Sequence, residues 1–160
     1  MATKKRTGAV KVGQEPEGVK VSPDGKWVFV TPEVASMVHA IDVASGKLVK
    51  NIPVGKRPRR FAFNVDASEL WVSNELGASV SVISVKDLTV SNTFAFQIKG
   101  MRADDISPVD LKLSRDCKTM YVGLGRANHV AFVDTADKSV GALVLTGKRV
   151  LPASVPGAWA

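Results

Sequence analysis

Apolar positions along this chain come in short runs separated by polar turns, and the runs recur in a fixed order. "VKVSPDGKWVFV" at 19–30, "FAFNVDASELWVS" from Phe61 and "LKLSRDCKTMYVG" from Leu111 share one grammar. An alternating run (Val19 and Val21; Phe61, Phe63 and Val65; Leu111 and Leu113) leads through an Asp-bearing turn into a nearly continuous apolar run, "WVFV", "LWVS" or "MYVG". Alternation predicts a strand with one face buried, and a short continuous run predicts a strand covered on both faces. A third strand repeats as "VHAIDV", "VSVISV" and "VAFVDT", and a fourth follows. In the first copy the four strands fall near residues 18–22, 27–31, 38–43 and 47–54.

The register is set by three independent markers. Asp24, Asp66 and Asp116 lie 42 and then 50 residues apart. Pro16, Pro58 and Pro108 repeat that spacing, and so do Ile41-Asp42, Ile83-Ser84 and Val133-Asp134. The extra eight residues therefore fall between Ser84 and Pro108, in "NTFAFQIKGMRADDI". A unit of about 42 residues built from four antiparallel strands is the signature of a propeller blade. The expected fold is all-β: a β-propeller segment of about three to three and a half four-stranded antiparallel blades.

The expected boundaries are a basic tail at 1–8, propeller from 9 to 150, and an irregular tail at 151–160 containing Trp159. Blade one covers about 18–54, blade two 59–99 and blade three 108–145. "GAVKVG" stands where a fourth strand from another blade would lie. Trp27 and Trp71 read as core residues.

Each turn has a local cause. In "SPDG", Pro23 presets φ for the second position of the turn, and Gly25 supplies the conformational freedom needed where the chain re-enters the sheet. The copies at Asp66 and Asp116 keep only the carboxylate. Asp42 and Asp134 cap the turns after the third strands, a structural role that fits their recurrence better than acid/base catalysis does.

The phrases "EPEGVKVSPDGKWVFV", "RPRRFAFNVDASELWVSNELGASVSVISV" and "SPVDLKLSRDCKTMYVGLGRANHVAFVDT" resemble the YVTN-type β-propeller repeat family. Within it, the likeness is greatest to propeller proteins associated with pyrroloquinoline-quinone-dependent catabolism. The resemblance covers about residues 9 to 150. It implies a periplasmic accessory role beside quinone-dependent alcohol or amine oxidation, with pyrroloquinoline quinone associated through the family alone. Full members have about seven blades and an export signal. Three blades fall short of the four to eight that close a ring, so the end blades are expected to offer apolar faces to a protein partner or to a second copy. A half-propeller that self-associates and a piece of a longer chain both remain open.

Composition changes this picture in two places. The net charge of +7 across 160 residues favours acidic partners or anionic ligands. The cations cluster in the loops of one rim: Lys56, Arg57, Arg59 and Arg60 in "GKRPRR", Lys99 and Arg102 beside Asp104 and Asp105 in the insertion, and Arg126, Asn128 and His129 in "GLGRANHV". Arg57, Arg59, Arg60, Arg102, Arg126 and His129 are the candidate anion or partner site, since guanidinium groups bind carboxylate and phosphate in bidentate geometry. A lone cysteine, Cys117, excludes an internal disulfide and a cysteine-based zinc cluster.

The remaining signals are negative. Two histidines, His39 and His129, without clustered carboxylates argue against a metal site. "GLGRAN" lies between strands and opens no helix, so it is no dinucleotide fingerprint. The basic runs lack interleaved aromatic residues and a recognition module, which argues against nucleic acid. No apolar run approaches the length of a membrane span, and no secretory signal is complete as written. No catalytic constellation stands out either. The reading is a non-enzymatic binding or assembly module; its alternative is part of a redox enzyme whose rim holds a quinone or haem.

Overall fold

The computed structural model describes residues 8–147. They form three four-stranded antiparallel sheets, each ordered as its strands occur in the chain. The first contains β1 (Pro16–Val21), β2 (Trp27–Pro32), β3 (Met37–Asp42) and β4 (Lys47–Pro53). The second contains β5 (Pro58–Phe63), β6 (Glu69–Asn74), β7 (Ser79–Ser84) and β8 (Thr89–Ala95). The third contains β9 (Pro108–Leu113), β10 (Thr119–Leu124), β11 (His129–Asp134) and β12 (Val140–Leu145). This is a partial propeller of three blades. The insertion between β8 and β9 holds one short helix, α1 (Ala103–Ile106). Residues 8–13 form no strand, so the expected lone strand at "GAVKVG" is absent over these residues. Gly13 instead donates its N–H to His39 Nε2 at 3.3 Å. Trp159 lies outside the described residues.

Blades pack by one rule. Phe29, Trp71 and Tyr121 occupy the same position of successive second strands; Phe29 and Trp71 face the following blade, and Tyr121 packs edge-on against Phe132 of its own blade. Phe29 packs with Val38, Ala40 and Ile52 against Phe61, Leu70, Val72 and Ile83 of blade two. Trp71, with no exposed surface, joins Val80 and Val82 against Leu111, Met120, Val122 and Val133 of blade three. Trp27 is half-buried at the edge of the first cluster. Burying such side chains stabilises the array by roughly 1.5–3 kcal/mol each, an amount one isolated sheet cannot gain. Innermost strands approach even more closely. A Cβ on Gly18 would stand 2.0 Å from the Arg59 carbonyl oxygen, which already accepts Thr31 Oγ1–H at 2.9 Å.

Left-handed backbone recurs in register with the sequence repeat. Glu15, Arg57 and Ser107 have φ of 52°, 59° and 56°; Ser36, Ala78 and Asn128 have 49°, 44° and 58°. Below them, Gly25, Ala67 and Cys117 have 72°, 57° and 60°, and Gly46, Leu88 and Lys138 have 63°, 53° and 64°. Of these positions, the sequence pointed to Gly25 alone as one that needs conformational freedom. The degenerate turns keep the left-handed backbone after losing glycine because the carboxylate holds them. Asp24, Asp66 and Asp116 accept the N–H two residues on, at 3.1, 3.1 and 3.2 Å. Asp42 and Asp134 cap their turns through Ser45 N–H and Ala136 N–H, both at 2.7 Å.

A non-glycine residue in this region costs about 1 kcal/mol. Ala67→Gly is expected to raise the unfolding free energy by up to about that amount, read from the urea midpoint. Gly18→Val is expected to lower it by several times as much.

Candidate functional site

One edge of the array is built by the connections between second and third strands and between blades. Backbone bonds tie these connections together identically in each blade. Glu33, Glu75 and Gly125 N–H donate to the carbonyls of Glu15, Arg57 and Ser107 at 3.0, 2.9 and 2.7 Å. Val54, Phe96 and Thr146 N–H donate to Ser36, Ala78 and Asn128 at 3.0, 2.8 and 2.8 Å. The left-handed residues thus carry the accepting carbonyls of the whole rim. Each innermost strand also has a register irregularity just after its proline, at Pro16/Gly18, at Pro58/Phe61 and at Pro108/Asp110 opposite Leu124/Gly123. A bulge re-aims the side chains beside it, and the residues it re-aims here include Glu17, Arg59 and Arg60.

The rim arginines are engaged with glutamates. Arg57 Nε donates to Glu33 Oε1 and lies 3.2 Å from Glu75 Oε2. Arg59 reaches Glu75 at 3.1 Å and Glu17 at 2.7 Å. Arg60 donates to the Glu17 carbonyl at 2.7 Å and lies 3.3 Å from its carboxylate. Three cations and three carboxylates therefore form one lattice. Glu33 and Glu75 are buried, and Glu75 also accepts Ser107 Oγ–H at 3.2 Å. Asn74, directly before Glu75, holds its loop by donating to Ser79 and Ser81 at 3.1 and 3.0 Å.

The other candidates are dispersed. Arg102 is exposed and precedes α1; exposed Arg126 donates to the Asp104 carbonyl at 3.0 Å. His129 is the first residue of β11 rather than a loop residue, with Nδ1 2.6 Å from the Ala127 carbonyl. His39 is buried, with Nδ1 2.6 Å from Asn51 Oδ1. Among the described residues no three His, Cys, Asp or Glu side chains cluster as metal ligands, and no helix is long and apolar enough to cross a membrane.

Sequence reading missed the glutamates. Their signal was present: Glu33 and Glu75 are 42 residues apart, on the repeat register, and Gly125 breaks the series. Glu33, Arg57, Lys56 and Glu15 line a groove of about 300 Å³ with Val34 and Leu76. The hydrogen bond from Arg59, joined by the charges of Arg59, Arg60 and Arg57, lowers the Glu17 pKa below its ordinary value. The hydrogen bond to Glu33 and the charges of Glu33 and Glu75 raise that of Arg57. Deeper along the inner wall, burial raises the Asp110 carboxyl pKa against the attraction of Arg60, Lys112 and Lys20.

The profile of the family described as lactonase, 7-bladed beta-propeller, matches residues 18–156. The chain belongs to the seven-bladed β-propeller lactonase family. Solved structures agree on the fold. Hydrazine synthase of Kuenenia stuttgartiensis superposes with a TM-score of 0.75 at 22% identity, over 92% of this chain and 40% of that one. A putative 6-phosphogluconolactonase of Bacteroides uniformis gives 0.71 at 19% identity, over 84% and 42%. The periplasmic gluconolactonase PpgL of Pseudomonas aeruginosa gives 0.65 at 22%, over 78% and 39%. This chain spans about two-fifths of the length of these structures. No curated protein matches it. The expectation of a non-enzymatic module is thereby corrected: the family is one of lactonases, and its structural neighbours include enzymes. The repeat spacing specifies blades and carries no signal of the activity found among the family's members.

Two outcomes test the lattice. Glu75→Ala leaves Arg57 and Arg59 without a shared acceptor and is expected to destabilise the chain by about 2 kcal/mol, a value below the full cost of breaking a buried pair because Arg57 is partly exposed. The pH dependence follows from the lowered Glu17 pKa. That carboxylate contributes stability above its ordinary value of 4.5, and the contribution is lost as pH falls through the lower folded value. Glu17→Gln is expected to flatten this acid limb in chemical unfolding followed from pH 6 to 3. Asp110→Asn is expected to stabilise at neutral pH, because the raised Asp110 pKa has the opposite sign.

Proposed function

We propose that this chain contributes to lactone hydrolysis, with the groove between the first two blades as the reacting site. The observation that carries this reading is the placement of Glu33 and Arg57 side by side in one groove of a lactonase-family propeller. Hydrolysis needs a base for water and a cation where the carbonyl oxygen becomes negative. Glu33 is the base. Its Oε1 is held by Arg57, and its second oxygen takes a proton from water as the water oxygen bonds to the lactone carbonyl carbon. Arg57 faces the resulting oxyanion. Collapse breaks the ring C–O bond, Glu33 returns the proton to the departing alkoxide, and the product is a hydroxy acid. Lys56 on the groove wall holds an anionic or hydroxylated part of the substrate. Glu75 and Arg59 act through Arg57 as positioning residues.

The finer family placement supports a competing ligand for the same groove. The YVTN-type repeats resemble those of propellers associated with pyrroloquinoline-quinone-dependent catabolism, and carboxylates of that quinone would meet Lys56 and Arg57. The quinone is therefore expected to inhibit competitively when added to the lactone assay.

The direct test is base uptake in a pH-stat with a panel of γ- and δ-lactones, corrected for spontaneous opening. Glu33→Gln is expected to lower kcat by about 10²–10⁴-fold and, since the amide oxygen can still accept from Arg57, to lower the urea midpoint less than Glu75→Ala does. Lys56→Ala is expected to raise KM more than it lowers kcat. A wild-type chain that accelerates none of the lactones overturns the proposal.

A further inference from the structure

The insertion peculiar to blade two builds a second groove beside the first. It has a volume of about 610 Å³, within the range of small-molecule sites. Its floor is apolar: Ala78, Phe96 and Ile106 are buried, and Ile98 and Met101 are partly buried against the same cluster. Lys99 stands on its wall. The two grooves share the 3-10 turn Glu75–Gly77 as a partition. Leu76 faces the groove of Glu33 and Arg57, while Gly77 and its neighbour Ala78 face the insertion groove.

The turn is tied to the insertion at both ends. Phe96 N–H is bonded to the Ala78 carbonyl at 2.8 Å, Ser107 Oγ–H to Glu75 at 3.2 Å, and Ala78 is left-handed. Beginning and end of the insertion are thus fastened to the partition. Blade one, without an insertion, passes from β4 to β5 in four residues, Val54 to Arg57. The apolar groove is therefore a product of the insertion, placed against the element that carries Glu75.

We propose that the insertion groove is a specificity subsite for the alkyl tail of a lactone, making the favoured substrates amphipathic lactones with a polar ring and an apolar chain. This rests on lactone hydrolysis in the neighbouring groove. The ring lies against Glu33 and Arg57, and the tail crosses the 3-10 turn to lie on Phe96, Ile98 and Met101. Tail and ring are recognised by different elements, so their contributions to kcat/KM are separable.

The experiment measures kcat/KM for δ-hexalactone, δ-octalactone and δ-decalactone. The expected rise is about fourfold for each methylene that enters the groove. Met101→Glu and Ile98→Glu are expected to remove this slope. Turnover of all three lactones with no dependence on chain length overturns the subsite and leaves lactone hydrolysis standing. A chain that hydrolyses none of them is titrated with decanoate while the amide resonances of Gly77 and Ala78 are followed. Saturable shifts abolished by Met101→Glu support the tail site even though the proposed reaction has failed. Absence of saturable shifts overturns it.

Discussion

The rest of this structure depends on the contact between neighbouring blades. A four-stranded sheet has two faces and too little area to shield either by itself. Phe29 and Trp71 meet that constraint by packing into the following blade, and the close approach of β1 to β5 at Gly18 fixes their spacing. Once the innermost strands are at that distance, Glu17 of one blade and Arg59 and Arg60 of the next lie within bonding reach. Packing brings the charges together, and the lattice follows from it.

The repeat also explains how the blades diverged without losing their shape. Four left-handed positions recur in every blade, yet glycine fills only two of the twelve. At the hairpin turns the aspartate side chain bonds the backbone in the geometry the turn requires. On the rim the same role falls to backbone bonds between connections. Strain at these residues is balanced by local bonds that survive substitution of the residue itself. The rim can therefore place Arg57 in a left-handed conformation, where its guanidinium meets Glu33 and Glu75 across a blade boundary.

Blade count, register and insertion were legible because they depend on spacing. Pro16, Pro58 and Pro108 mark the same point in each blade, and the structure starts a strand at each. Pairing across the rim was not legible. "GKRPRR" reads as a block of positive charge, and nothing in that segment announces that Glu33 lies 24 residues before Arg57 or Glu75 18 residues after it. His129 illustrates the same limit at smaller scale, since a strand that begins one residue earlier takes a side chain from loop to sheet. Apolar spacing does not encode whether a cation will face solvent or a carboxylate; the fold decides that.

A balanced lattice is better suited to the proposed hydrolysis than the uncompensated basic rim would be. Unpaired guanidinium groups attract any anion and distinguish among them poorly. Here Arg57, Arg59 and Arg60 each have a fixed acceptor, so Arg57 is held in one orientation with Glu33 beside it, the preorganisation that the proposed reaction would use to stabilise developing charge. The cost is that the lattice by itself says little about the body of the substrate. That selectivity has to come from a neighbouring element, and the insertion is the one place in the three blades where the repeat was broken to build a new surface.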